Sequence, residues 1–314
     1  MNDLAGHAPT RDEILVIGSA NMDLYTRLDH IPVGGETILG SPIWTSPGGK
    51  GANQAAAAGR LGAKVRFVGQ VGRDEYGDRL RAGLAGAGVD VSGLKTGSSP
   101  SSLAIILLTP DGENSIVVSP SSNQHVAPAD VDEAFERAHD GIGAVVCQLE
   151  IPLPTVLHAA EVATRNGVRF VLNAAPAQPL PGTLLAAADP LVVNESEAAL
   201  LLGPEQSDGM DPAALVAGLL GLGPSSVVLT LGGDGVALGA TDGPVTQLPA
   251  RKVPVVDTTG AGDAFVAALT SRLVAGDDLV TAAKYATIVG SLVVQKEGAQ
   301  ASYPTDFEVA AVDD

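Results

Sequence analysis

Six short apolar runs, each stopping at a small or polar residue, constrain the fold of this chain more than any other feature. They are EILVIGS (13–19), VRFVGQVG (65–72), AVVCQLE (144–150), RFVLNAAP (169–176), PLVVNESE (190–197) and SVVLTLGG (226–233). A brief run of Val, Ile, Leu and Phe without alternation reads as a strand covered on both faces. Between the runs lie helical stretches: GANQAAAAGRLG, EYGDRLRAGLAGAG, ADVDEAFERAHD, PTVLHAAEVATRNG and DPAALVAGLLGLG. Several of them close on glycine, as helix C-termini do. Strand–helix alternation of this kind predicts an α/β fold, a doubly wound and mostly parallel sheet flanked by helices.

Two segments break the alternation. Residues 24–46 are rich in Gly, Pro and Thr and have no helical period. Residues 101–120 read as two β-runs joined through Pro110-Asp111-Gly112, a hairpin signal. Together they are expected to form a small β-rich lid on the edge of the sheet. Residues 1–11 read as a flexible tail.

Composition narrows the function. Hydrophobic residues make up 45% of the 314 but aromatics only 3%, so aliphatic side chains and alanine must fill the core. The net charge of -18 disfavours nucleic acid and anionic membranes as partners. A phosphate-bearing ligand would need a local anion site, such as amides at a helix N-terminus. The single cysteine, Cys147, lies in an apolar run and reads as a buried structural thiol in a reducing compartment. The first residues lack the basic-then-apolar order of a signal peptide. No stretch approaches the roughly 20 apolar residues of a membrane span. A cytoplasmic protein is expected. The five histidines show no metal-ligand spacing and read as surface residues.

In open parallel sheets, ligands bind beyond the carboxyl ends of the strands. The polar residues ending the apolar runs should converge there: Asn21, Asp23, Glu150, Asn173, Asn194 to Glu197 and Thr230 to Gly235. Helix capping would account for any one of them; their recurrence after strand upon strand shifts the weight toward a shared site. The most informative stretch is VVDTTGAGDAFVAAL (255–269). Its Gly260-Ala261-Gly262 turn opens a helix whose free amides suit a phosphoryl group. Asp263 follows in the first helical turn. It reads either as ordinary complement to the helix dipole or as a base aimed at an acceptor hydroxyl. In the second reading the dipole is expected to lower its pKa, which phosphoryl transfer tolerates. The P-loop, dinucleotide and protein-kinase signatures are absent.

With GGKGAN (48–53) and DTTGAGDAF (257–265), the sequence resembles the ribokinase-like (PfkB) carbohydrate kinases. The resemblance extends to GSANMD (18–23), VGGET (33–37), QLE (148–150), NAAPA (173–177), NESE (194–197), TLGGDG (230–235) and KEGAQAS (296–302). Ser121-Ser122-Asn123 stands where the family usually writes Gly-Ala-Asn. The resemblance implies one kinase domain over 12–306 and ATP-dependent phosphorylation of a sugar hydroxymethyl group. The expected acceptor is the 5-hydroxyl of D-ribose. Deoxyribose, fructose or a nucleoside, and a non-catalytic sugar-binding regulator, are the alternatives. Mg²⁺ is implied on the nucleotide and K⁺ as a monovalent activator.

Position by position, the resemblance makes Asp263 the catalytic base and Gly260, Ala261 and Gly262 the anion hole. It places Asn21, Asp23, Gly49, Lys50, Asn53 and Glu150 at the sugar. It places Asn194, Thr230, Leu231, Gly232, Gly233, Asp234, Gly235 and Thr287 at the nucleotide. Glu197 completes the N-x-x-E linked to Mg²⁺ and phosphate handling. Asp257, Thr259, Val293, Lys296, Gly298 and Ser302 fall on the cation loop, largely through backbone carbonyls. It also implies a homodimer formed through the lid, for which Leu103–Leu108 and Ile116–Val118 would supply an apolar face. A hairpin that packs on its own domain is the alternative.

Overall fold

The computed structural model describes residues 11–110, 114–138 and 141–313. The expected tail, apart from Arg11, and Asp111-Gly112 of the hairpin turn lie outside them. The first half of the chain holds β1 (Glu13–Ile17), β2 (Asn21–Arg27), β3 (Trp44–Gly48), α1 (Lys50–Arg60), β4 (Lys64–Val71), α2 (Glu75–Gly86), β5 (Asp90–Thr96), β6 (Ser102–Leu108), β7 (Asn114–Ser119), α3 (Pro128–Ala138), β8 (Ile142–Cys147) and α4 (Leu153–Arg165). The second half holds β9 (Arg169–Asn173), α5 (Gly182–Ala187), β10 (Leu191–Asn194), α6 (Glu195–Leu202), α7 (Pro204–Ser207), α8 (Pro212–Leu220), β11 (Ser226–Thr230), β12 (Val236–Ala240), β13 (Thr246–Leu248), α9 (Ala261–Val274), α10 (Leu279–Val293) and α11 (Asp306–Asp313).

Nine strands form the main sheet in the order β13-β12-β11-β10-β9-β8-β1-β4-β5. The pairings from β5 to β11 are parallel, and β12 and β13 add an antiparallel edge. Each of the six apolar runs is one of the parallel strands. Strand β1 shows why those runs do not alternate. Ile14 and Val16 belong to one core, with α1, α2, α9 and α10. Leu15 and Ile17 belong to the other, with α3, α4, α5, α6 and α8. Both faces of the strand are covered, so every position is apolar.

The second sheet has four strands in the order β3-β2-β6-β7. It draws on the two segments that break the alternation. β2 pairs in parallel with β6, and β3 and β7 pair antiparallel on the two flanks. Ile105, Ile116, Val117 and Val118 are exposed on it.

The alanine run makes α1 slender, and Gly51 to Ala58 are all buried. Helix α9 packs on α1 and across β1 and β8. At β1 the connections turn to opposite sides of the sheet, toward β4 and toward β8. That is the switch point at which a doubly wound sheet opens a crevice. The N-termini of α1 and α9 both face it.

Candidate active site

The row of strands β1-β8-β9-β10-β11 spreads five polar termini along one edge of the sheet: Ser19, Gln148 to Glu150, Asn173, Asn194 and Thr230. At about 4.8 Å per strand the row is about 19 Å long, room for a small sugar and a polyphosphate end to end.

The β1 end is built by the GGKGAN stretch. Gly49 caps α1 at φ 88, and a Cβ there would lie 2.8 Å from the Asn21 amide nitrogen. A Cβ on Gly48 would collide with the Asp23 carboxylate. Glycine is therefore what lets α1 enter against β2. The opening amides of α1 find partners across the crevice. Lys50 N–H donates to Glu150 Oε2 (3.0 Å) and Gly51 N–H to Ser19 Oγ (3.2 Å). Ser19 Oγ–H donates to the same Glu150 oxygen (2.5 Å). Glu150 thus caps α1 through Oε2 as well as facing the crevice. Asn21 Oδ1 accepts from Asn123 Nδ2 (2.7 Å), whose own Oδ1 accepts from Ala20 N–H (3.1 Å). Asn123 follows the second lid strand and ties the two sheets together.

Lys50, Asn53 and Gln54 stand at i, i+3 and i+4 on one face of α1. Across from them lies Asp263. Asn53 Nδ2 donates to its Oδ2 (2.9 Å) and Gln54 Nε2 to its Oδ1 (3.1 Å). Gln300 Nε2 in turn donates to Asn53 Oδ1 (3.1 Å). No side chain caps α9. The carboxylate of Asp263 faces α1 rather than complementing its own helix. Gly260 makes the turn at φ 76, and a Cβ there would lie 2.6 Å from Tyr303 Oη. Ala261 N–H donates to Thr258 O (3.2 Å), and Ala264 is the first residue to close onto the turn, on Gly260 O (2.9 Å). The amides of Gly262 and Asp263 precede that first closure. Ala261 differs from the expected anion hole in that its amide already serves the turn.

One electrostatic expectation is overturned. The Asp263 carboxyl is raised above its ordinary value, not lowered by the helix dipole. Burial pushes it up, and Lys50 with the amides of Asn53 and Gln54 offsets that only in part. A terminal dipole acting on a side chain that has lost its water is the weaker effect. Asp23 is pushed up to about 7, chiefly by burial and then by Glu150. Burial pulls Lys50 down, but Asp263, Glu150 and Glu197 more than compensate, so its ammonium is held above the usual lysine value.

Toward β10 and β11 the crevice continues into a depression of about 240 Å³ lined by Lys50, Asn173, Asn194, Glu197, Thr230, Thr258, Gly260, Gly262 and Asp263. Asn194 and Glu197 form a capping box on α6, two reciprocal bonds of 2.8 Å. Their helix-capping role is real, and their side chains also line the site. Burial raises Glu197. A larger cleft of about 500 Å³ follows, sharing Thr230, Thr258 and Gly262. Gly232, Gly233, Gly235 and Thr287 line it. Leu231 and Asp234 do not: Leu231 packs into the core, and both serve the β11–β12 turn through their backbones. Ala250 to Val253, Phe265 and the α10 residues Gly290 and Ser291 complete the walls. Phe265 lies in the DTTGAGDAF stretch, but nothing in the sequence marked the others, because cleft walls of this kind look like ordinary core and loop.

The segments 257–259 and 293–302 lie side by side. Asp257 Oδ1 accepts from Thr259 N–H (2.9 Å) and Oγ1–H (2.6 Å), and its Oδ2 from Gly298 N–H (2.8 Å). Val293 O accepts from Lys296 N–H (3.1 Å), and the Lys296 ammonium turns away to Glu308 (3.1 Å). Ser302 Oγ–H donates to Ala299 O (2.6 Å). Among the described residues no group of three or more His, Cys, Asp or Glu is placed to hold a metal ion. His30, His125 and His158 pair with Glu36, Ser99 and Asp132, while His7 and His139 lie outside the described residues. The Cys147 thiol is wholly buried, which pushes it far up. No described helix is long and apolar enough to cross a membrane.

Known proteins resemble the chain in sequence and in fold. The chain is 38% identical over 296 residues to the ribokinase of Bacillus subtilis, covering 94% of this chain and 97% of that one. It is 34% identical over 295 residues to the deoxyribokinase of Salmonella typhi, covering 93% and 96%. The structure of Arabidopsis thaliana ribokinase complexed with ribose and ATP superposes with a TM-score of 0.85 at 32% identity, covering 96% of this chain and 98% of that one. Residues 11–306 match the family described as pfkB family carbohydrate kinase. With that match over most of its length and a relative 38% identical across nearly the whole of both chains, the chain belongs to the pfkB family of carbohydrate kinases.

Proposed function

We propose that the protein transfers the γ-phosphoryl group of ATP to the 5-hydroxyl of D-ribose. The observation that carries this reading is the position of Asp263. Its carboxylate is buried, is held through both oxygens by α1, and stands beside the glycine turn where the sugar end of the crevice meets the phosphate end. Asn21, Asp23, Asn53 and Glu150 form the sugar end, a polar pocket suited to a molecule with several hydroxyls. Such a pocket rejects acceptors that leave its buried groups unpaired.

Asp263 accepts the proton of the attacking hydroxyl while Lys50 and the amides of Gly262 and Asp263 face the charge on the moving phosphoryl group. The burial that raises the Asp263 carboxyl makes it a better proton acceptor than a solvated aspartate. The nucleotide base lies in the larger cleft against Thr287 and the Gly232–Gly235 turn. The second sheet closes over the sugar as a lid and limits attack by water.

Two cations belong to this reading. Glu197 on the depression wall would stand beside Mg²⁺ carried on the nucleotide, whose chemistry would be to neutralise phosphate charge. The 257–259 and 293–302 segments offer a carboxylate, a hydroxyl and main-chain carbonyls. These are hard oxygen donors, and the Lys296 ammonium is turned away to Glu308, a set that fits K⁺. Asp257 and the carbonyls of Thr259, Val293, Lys296 and Gly298, with Ser302, would hold it.

A coupled assay of ADP release tests the reading. D-Ribose should be turned over with the highest kcat/KM among ribose, deoxyribose, fructose and nucleosides, and the rate should rise when K⁺ is added. A preference for deoxyribose would move the chain beside the Salmonella relative. No turnover of any sugar would leave only a binding role. The lid's exposed Ile105, Ile116, Val117 and Val118 also support a homodimer. Light scattering should give twice the 31.5 kDa chain mass, and Val117→Asp should return it to monomer.

A further inference from the structure

We infer that Gln54, oriented by Gln148, is a positioning residue that aims the carboxylate of Asp263. The inference rests on the reading of Asp263 as the base. Gln54 touches no reacting atom in that reading, and it acts through the carboxylate alone.

The argument starts from hydrogen-bond polarity. An ionised carboxylate only accepts. The amides that face it must therefore present nitrogen, and they do so one to each oxygen: Asn53 to Oδ2 and Gln54 to Oδ1. Gln54 Nε2 also donates to Asn173 Oδ1 (3.0 Å). Both of its N–H bonds are thereby used. With its nitrogen turned toward Asp263, the Gln54 carbonyl must point the other way. There it accepts from Gln148 Nε2 at 2.5 Å. This in turn fixes Gln148, whose own Oε1 is left buried with no donor. That oxygen lies where a Cβ on residue 18 would be, so Gly18 is the residue that admits it.

Rotating the Gln148 amide would not repair the defect. It would set the Gln148 and Gln54 carbonyls face to face. The direction of the chain, from Gln148 through Gln54 to Asp263, is therefore dictated by its acidic end. Gln54 and Gln148 are 1% and 0% exposed, so water cannot substitute for either. A buried carbonyl without a donor destabilises a fold. Such violations of local rules gather where function needs a fixed geometry.

The carboxylate needs this hold because its surroundings are crowded with charge. Lys50 of α1 draws it one way. Glu150 beyond β8, Glu197 of α6 and Asp23 of β2 repel it, and Tyr303 packs beneath the glycine turn. Without Gln54 the Oδ1 oxygen would lose its amide donor, and Asn53 would be left on Oδ2.

The test uses the full chain and the near-isosteric Gln54→Met and Gln148→Met, with Asp263→Asn alongside. Gln54→Met should lower kcat by about 10- to 100-fold, the scale of a small misplacement at a reacting centre. KM for sugar and for ATP should stay within about threefold. The acid limb of the kcat profile should move to higher pH, because a donor that favours the charged carboxylate is gone. Gln148→Met should do the same more weakly, and the double variant should be no worse than Gln54→Met alone. Should Gln54→Met fail to fold, Gln148→Met decides on the same readouts. Wild-type kcat and an unmoved acid limb, in a variant that merely melts earlier, would overturn the inference. If Asp263→Asn itself turns over normally, the reading of Asp263 fails first, and the two failures are told apart.

Discussion

Asp263→Asn should lower kcat by about 10² to 10⁴, the usual worth of a positioned base, while the sugar still binds. The asparagine has the shape of the aspartate but cannot take a proton. It also meets two amide donors, Asn53 and Gln54, with one oxygen where there were two. Stability separates this loss from unfolding. The folded carboxyl is raised, so ionising it disfavours the fold: stability falls as pH climbs from the unfolded value of 3.8 toward the raised one. Above that range the wild type carries the full penalty and the asparagine variant carries none. That relief offsets the amide donor left unpaired, so the variant should remain folded at neutral pH. Calorimetry with the sugar should give a Kd within a few fold of wild type. Near-normal turnover in a folded variant would remove Asp263 from the role of base.

The fold was legible because its determinant is local. Runs such as Leu15-Val16-Ile17 carry their own record of burial on both faces. The antiparallel edge was not legible in the same way. β12 and β13 are short, and Thr246–Leu248 carries no apolar run to mark it. At the site, GGKGAN and GAGD could be read because glycines mark places where backbone must come close. Gln54 went unmarked although it follows Asn53 directly. A glutamine on a helix reads as a solvated face until its partners are known, and those partners lie at 148, 173 and 263. Its i+4 spacing from Lys50 was the one available signal. Asn123 was visible only as a departure from the family wording, and its bond to Asn21 is a contact 102 residues long. The charge state of Asp263 could not be read at all. The helix start is visible in the sequence, but the burial that outweighs the dipole is a property of the assembled core.

Lys50→Met should have the second largest effect, and it tests whether the crevice works as one electrostatic unit. Lys50 was expected among the sugar contacts, yet its side chain lines the depression shared with Asn194, Glu197 and Thr230. Its ammonium stands among Asp263, Glu150 and Glu197, which hold it charged throughout the neutral range. Removing it takes away a fixed positive charge where phosphoryl charge develops, so kcat should fall by about 10² to 10³. The carboxylates left behind repel one another. Removing the charge that balances them should lower the melting temperature at neutral pH. The sign of its pH dependence follows from the raised carboxyls of Asp263 and Glu197. As pH falls they take up protons, the repulsion fades, and the gap in melting temperature between variant and wild type should narrow. A purely sugar-side lysine makes a different forecast: pentose affinity drops, nucleotide affinity holds, and kcat at saturation survives. Calorimetry of each ligand with single-turnover rates distinguishes the two. A variant that keeps kcat within about threefold of wild type would place Lys50 outside the transition state, and the phosphoryl charge would then rest on the glycine-turn amides alone.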